Sequence, residues 1–302
     1  MIKPGQFTLL AVLVAGPALA QNRPPPAAWL ENLAFTATAS STWTGNISRT
    51  SHEPTRKDAT SHEIHLSADQ HRQVAASWLM HFGAEASYLA VPEYALTANF
   101  KIGPRLGLQH KFGLGPLAPV LQFDTAYSYK SARLAADRGW TAEAGLRLAK
   151  RLNSSLKIAA SWQGLEHYAR SAPFDLQQRT LAVEAIWDIN ERWRLSGTTS
   201  RLSGHVVANA AGPIWAQAIG GGFGPTVFKY YNSIPWEVTE LYGPGWVSYN
   251  VEADVDLWSS TVSCAVTERT TLELRAGGAY VVNKINISYP TDSWGLSLVH
   301  RF

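Results

Sequence analysis

Cysteine is almost missing from this sequence: of 302 residues only Cys264 carries a thiol. One thiol excludes an internal disulfide framework and a cysteine metal cluster, and in an exported chain it reads as a small apolar residue. Long apolar runs are equally scarce. Nothing approaches the roughly 20 consecutive apolar residues that a membrane-spanning helix requires. Charge of one sign is missing too, since 26 Lys and Arg against 23 Asp and Glu leave only +3. With no basic run to concentrate that excess, nucleic acid is excluded as a partner.

What is present is hydrophobicity spread thinly along the chain: 46% of residues, with 12 Trp, 11 Tyr and 10 Phe. At the start, Lys3 precedes the apolar run Phe7 to Val14, and Ala18 and Ala20 precede Gln21. Residues 1–20 therefore read as a secretory signal peptide, and Gln21 in place of a cysteine argues against a lipid anchor. Residues 21–32, with "QNRPPPAAW", read as a proline-rich periplasmic spacer.

From Leu33 onward the dominant period is two. Leu33, Phe35, Ala37 and Ala39 share a face, as do Ile64, Leu66 and Ala68, then Trp78, Met80, Phe82, Ala84, Ala86 and Tyr88, then Leu96 to Leu108. Further strands are expected over Leu121 to Tyr129, Trp140 to Leu148, Leu156 to Trp162, Leu181 to Ile189 and Trp193 to Thr199, and over 250–267, 271–283 and 291–302. In the 250–267 segment the apolar parity changes between Leu257 and Val262, and a bulge there is expected to reconcile the two halves.

A soluble sandwich also alternates, so the bulky face decides. Here that face carries Trp140, Trp162, Trp187, Trp193, Tyr280 and Trp294 near the expected strand ends, as rings at a lipid and water boundary do. The polar turns at 150–155, 188–192 and 267–271 are tight and alternate with longer connections, the largest being 207–247. In hydrocarbon an unpaired backbone group costs several kcal/mol, so such strands cross only as a closed sheet. The expected fold is all-β: an antiparallel transmembrane up-and-down β-barrel over 33–302 of about 12 strands, or 14 if 207–247 adds a hairpin.

The chain ends Trp294-x-Leu296-x-Leu298-x-His300-x-Phe302. With the signal peptide and the repeated grammar of strands and short turns, this ending resembles bacterial outer-membrane β-barrel proteins as a class, although His300 departs from the aromatic or aliphatic residue usual at its position. The resemblance implies export to the outer membrane of a Gram-negative bacterium and contact with outer-membrane lipid. It also implies periplasmic chaperones and the barrel assembly machinery as partners, with Trp294, Leu296, Leu298 and Phe302 as the assembly signal.

The face opposite the apolar one collects Glu63, His65, Asp69, His71, His81, Glu85, Lys101, Arg105, Lys111, Asp124, Lys130, Glu143, Arg147, Lys157, Glu184, Arg194, Glu273 and Arg275. These are the expected pore-lining residues. Two arrangements fit them: pairing across a narrow lumen that plugs it, or a transverse field across an open one. Within "SHEIHLSADQH", His62 and His65 alternate faces and fail the helical two-His zinc pattern. His65-x-Ser67 resembles the His-x-Ser spacing of outer-membrane lipid A deacylases and phospholipases, but its parity puts the pair in the lumen, away from lipid esters. No catalytic residue, metal or cofactor is assigned.

Loop 207–247 is expected to be extracellular. It clusters Trp215, Phe223, Phe228, Tyr230, Tyr231 and Trp236, a set able to stack on a sugar or an apolar ligand. Its glycines lack the Lys-Ser/Thr of a phosphate loop. Together these features point to a porin-like passive channel for a small solute, with a plugged structural or adhesive barrel as the alternative and a lipid-modifying enzyme third.

Overall fold

The computed structural model describes residues 33–302; the expected signal peptide (1–20) and spacer (21–32) lie outside the described residues. In chain order the strands are β1 (Leu33–Thr44), β2 (Ala59–Ala75), β3 (Trp78–Ala90), β4 (Asn99–Lys111), β5 (Val120–Ala132), β6 (Gly139–Arg151), β7 (Leu156–Ala169), β8 (Leu176–Asp188), β9 (Trp193–Ala210), β10 (Trp236–Val238), β11 (Val247–Ala265), β12 (Thr270–Asn283) and β13 (Ser288–Arg301). All except β10 form a closed antiparallel barrel of 12 strands, with β9 paired to β11 and β13 to β1. Every barrel strand therefore has two neighbours, and the sheet offers hydrocarbon no unpaired edge.

The alternative count of 14 is overturned. The long connection spans 211–246, since Val207 to Ala210 continue β9, and it folds mainly as two short helices, α1 (Gly212–Ile219) and α2 (Pro225–Tyr231). Each helix begins with a proline in its first turn, where the missing N–H costs nothing. Only β10 is extended, and it pairs with Val247 to Tyr249 of β11 at the rim, beyond the point where β12 ends.

Connections at one end are short: 76–77, 112–119, 152–155, 189–192 and 266–269. Both ends of the barrel's chain meet there, where the Phe302 N–H donates to the Phe35 carbonyl at 3.0 Å. The other end carries 45–58, 91–98, 133–138, 170–175, 211–246 and 284–287. These are called the turn end and the loop end below.

The outward side chains are greasy and uncovered. Leu181 is 63% exposed, Val183 58% and Trp294 58%, with Phe82, Ile102, Phe123 and Leu274 on the same surface. An apolar belt of that extent is unfavourable in water and favourable against lipid tails. Aromatic rings stack along it, Tyr127 on Trp140 at 5.0 Å and Trp43 on Trp294 at 6.2 Å. Trp162 and Trp294, expected near strand ends, stand mid-strand, because β7 continues to Ala169 and β13 begins at Ser288.

The expected bulge in β11 is also overturned. Pairing with β12 runs without a register shift from Ala253 to Ala265, and with β9 from Val247 to Cys264. The parity change is real but has another cause. In the lower half Trp258 and Val262 face outward; in the upper half Val251, Ala253 and Val255 are buried in a cluster with Trp215 and Tyr231 of the helical connection, while Asp254 and Asp256 are outside with Arg201. Above Trp258 the strand has left the apolar belt. There the outside is water and the inside is packed by the connection, so the polarity of the two faces inverts without any break in the ladder.

Candidate functional site

The interior of the barrel is the candidate site, and its charges lie along the wall. Arg105 of β4 donates from Nε to Asp69 of β2 at 2.6 Å and pairs with it a second time through Nη2; Glu85 of β3 is 3.7 Å from the same guanidinium. His81 of β3 meets Asp124 of β5 at 3.1 Å. Arg147 of β6 pairs with Glu184 of β8, and at the turn end Asp188 of β8 accepts from Arg151 at 3.0 Å and Arg194 at 2.7 Å.

Most of these pairs join strands one apart, reaching over the strand between them. That requires a small residue in the middle. At Gly107, between His81 and Asp124, an added Cβ would stand 2.0 Å from the imidazole and 2.5 Å from the Asp124 carboxylate; at Gly83 it would stand 2.5 Å from Asp69. These pairs run along the wall and do not cross the lumen. Arg105, Arg147, Arg194 and His81 do not bridge the lumen, because each finds a carboxylate along the sheet at lower cost in side-chain ordering.

The remaining expected residues are distributed around this ladder. Glu143 accepts from Gln163 at 3.3 Å and Glu273 from Ser263 at 3.3 Å, and His71 lies 5.8 Å from the His81 ring. Glu63, His65, Lys101, Lys157 and Arg275 make no side-chain ion pair or hydrogen bond among the described residues. Ser67 sits opposite Glu85, two positions from His65 on the same strand face. Two spaces remain open. One of about 570 Å³ is bordered by the Asp69, His81, Asp124 and Arg147 groups; the other, of about 470 Å³, runs between Glu63 and Arg275 past Ser40, Thr42, Thr198, Ser200 and Ser297.

At the loop end a chain of buried hydrogen bonds absent from the sequence-based expectations joins the connections. The Thr239 hydroxyl reaches Ser248 Oγ at 2.8 Å, Ser248 donates to Asn209 Oδ1 at 2.7 Å, and Asn209 Nδ2 donates to the Ser48 carbonyl at 2.8 Å. Ser48 Oγ then donates to Asn46 Oδ1 at 3.2 Å, and Asn46 Nδ2 donates to the Thr50 carbonyl at 3.0 Å. All six residues are buried. Asn46 is held at φ 98°, a conformation that a non-glycine residue keeps only when its surroundings insist.

Tyr242 completes this latch. Its hydroxyl donates to the Ile47 carbonyl at 2.8 Å and its ring meets Tyr94 edge-on at 4.9 Å. Burial pushes the Tyr242 phenol up to about 12, so it remains a donor throughout the neutral range. In the order of strands β3 stands nearly opposite β11, so 239–246 crosses the mouth to reach both 45–58 and 91–98.

Beneath the latch lies a third space of about 620 Å³, walled by Leu202, Val206, Val255, Leu257 and Val281 and bordered by Arg49, Lys130, Asp137, Tyr242 and Tyr289. Lys130 pairs with Asp137 at 2.6 Å, and His167 stands 3.4 Å from the same carboxylate. Burial opposes the charge on Asp137, but these two partners outweigh it and hold the carboxyl below its usual range. Of the six aromatic residues expected to grip a ligand, Trp215, Tyr230, Tyr231 and Trp236 pack together, with Tyr230 against Tyr231 at 5.4 Å. Trp215 stacks on Tyr249 at 4.8 Å and approaches Tyr231 and Trp236 at 5.4 and 5.5 Å as packing for the helices, whereas Phe223 and Phe228 are exposed apart from them.

No family model matches this sequence, and no curated protein matches it at a significant level. Among solved structures, an outer membrane channel from Pseudomonas putida F1 superposes with a TM-score of 0.60 at 9% identity, over 93% of this chain and 100% of that one. The chain has the fold of an outer-membrane β-barrel. The NanC porin (TM-score 0.43, 7% identity, 87% of this chain and 98% of that one) and the CymD monoaromatic hydrocarbon channel (0.44, 10%, 90% and 89%) are more distant in shape. At such identities it is the barrel that is shared, and the lumen chemistry above belongs to this sequence.

Proposed function

We propose that the protein is a passive outer-membrane channel for small solutes. The supporting observation is the wall-bound ion ladder: Arg105, Arg147 and Arg194 are held by carboxylates on their own side of the barrel, which leaves the axis to water. The likeness to a solved outer membrane channel agrees with this reading. His65 and Ser67 face the same enclosed space, out of reach of lipid esters, and no group of three or more His, Cys, Asp and Glu among the described residues is placed to hold a metal ion. The reading is transport. The latched mouth favours one qualification, a resting state that conducts weakly.

The test is ion current through the purified barrel in planar bilayers. Discrete conductance steps are expected, and a folded barrel that passes no current at any salt concentration rejects the channel. Arg105→Ser is expected to shift the reversal potential toward cation selectivity several-fold, since it leaves Asp69 and Glu85 without their shared counter-charge. Unchanged selectivity would mean that ions do not pass this ladder. The terminal strand carries a second part of the proposal, recognition by the assembly machinery. Deleting Phe302 is expected to leave folding into vesicles intact and to lower outer-membrane yield in cells.

A further inference from the structure

The chamber under the latch has a composition unlike the rest of the lumen. One wall is aliphatic, and among the polar residues that border the space Tyr289 and Arg49 have side-chain groups without partners. Tyr289 is 5% exposed, and its hydroxyl makes no hydrogen bond among the described residues. Arg49 makes no side-chain ion pair or hydrogen bond among the described residues, although it acts electrostatically on both Tyr242 and Tyr289. The only carboxylate bordering the space is Asp137, which Lys130 and His167 already hold. The chamber is thus apolar in body and cationic at one side.

The backbone of Arg49 is also held. Its backbone is left-handed at φ 51°, and its N–H donates to the Asn46 carbonyl at 3.0 Å, which ties it to the latch. A guanidinium and a phenol that border one chamber, near enough for the charge of the first to act on the second, offer N–H and O–H donors to the oxygens of a carboxylate. The volume of about 620 Å³ lies in the usual range for a small-molecule site.

We propose that this chamber binds small organic monocarboxylates with an apolar body, the carboxylate on Arg49 and the Tyr289 hydroxyl and the body against Leu202, Val255 and Val281. The proposal rests on the channel reading for how such a solute arrives and leaves, and not for whether it binds.

The experiment is calorimetric titration of the folded barrel in detergent with hexanoate, against hexanol, which keeps the body, and acetate, which keeps the charge. Hexanoate is expected to saturate a single site, with both controls weaker by about tenfold or more. Arg49→Gln is expected to weaken hexanoate by a similar factor without changing hexanol, Tyr289→Phe to weaken it several-fold, and Arg49→Lys, which keeps the charge without the planar donors, to weaken it less than Arg49→Gln. Heat-modifiable gel migration verifies that each variant is folded. Equal titration of hexanoate and hexanol, or hexanoate binding unchanged in Arg49→Gln, overturns the site. Conductance of the same preparations in potassium chloride reports on the channel separately: current with no hexanoate site removes this proposal alone, and a hexanoate site without current removes transport alone.

Discussion

Val183→Arg is expected to abolish stable insertion of the barrel into lipid vesicles, while Ala182→Arg, one residue earlier, leaves it close to wild type. Val183 stands in the middle of β8, 58% exposed on the apolar belt, opposite Ala160 and Thr199 of the flanking strands. An arginine near the bilayer midplane costs a transmembrane barrel about 2–4 kcal/mol, a large share of the roughly 5–15 kcal/mol that holds an ordinary folded protein together. Ala182 faces the lumen between Ser161 and Ser200, and the new guanidinium there meets water and the neighbouring Glu184. The folded fraction on unheated gels and the urea midpoint in vesicles measure both variants. Equal tolerance of the two substitutions would mean that the two faces of β8 meet the same solvent, and the membrane reading would fall with that result.

The same contrast explains what the sequence made legible. Period-two alternation identified all 12 barrel strands because in the belt the outward face is continuously apolar, as in Trp78 to Tyr88 or Trp294 to Leu298. It lost the upper parts of β7 and β9, where Glu166, Arg201 and Ser203 occupy outward positions above the belt and read as loop. It misread β11 for the same reason, since a parity change normally signals a bulge and here signals a change of solvent along one straight strand. Parity alone placed Asp69, Glu85 and Arg105 on one face. Their mutual pairing was hidden, because it depends on which strand is two places away and on glycines such as Gly83 and Gly107 leaving room. The latch was out of reach altogether: Asn209 and Ser48 are polar residues at unremarkable positions, 161 apart in sequence, and only closure of the barrel brings them together.

Breaking that latch is the second large effect. The double variant Asn209→Ala, Tyr242→Phe is expected to raise the open fraction of single channels about tenfold, since unpairing one or two buried hydrogen bonds costs about 1–3 kcal/mol. Asn209 is the only member of the hydrogen-bond chain that joins β9 to both Ser248 and the 45–58 connection, and Tyr242 ties 239–246 to the Ile47 carbonyl. With both gone, Asn46 keeps its own bonds to Ser48 and Thr50, and 45–58 is freed from the far rim. The barrel itself is expected to melt at nearly the wild-type temperature, because its ladder pairings make no use of these side chains. The pH dependence carries a sign as well. The Tyr242 phenol is raised by burial from 10.0 to about 12, so its contribution to closure is complete below pH 10 and is lost as pH rises through about 12. Conductance should therefore climb over that alkaline window in the wild type and much less in Tyr242→Phe. A double variant whose open fraction matches the wild type would show that 239–246 lies over the mouth without obstructing it, and the restriction to flow would have to be sought lower, among Arg105, Arg147 and their carboxylates.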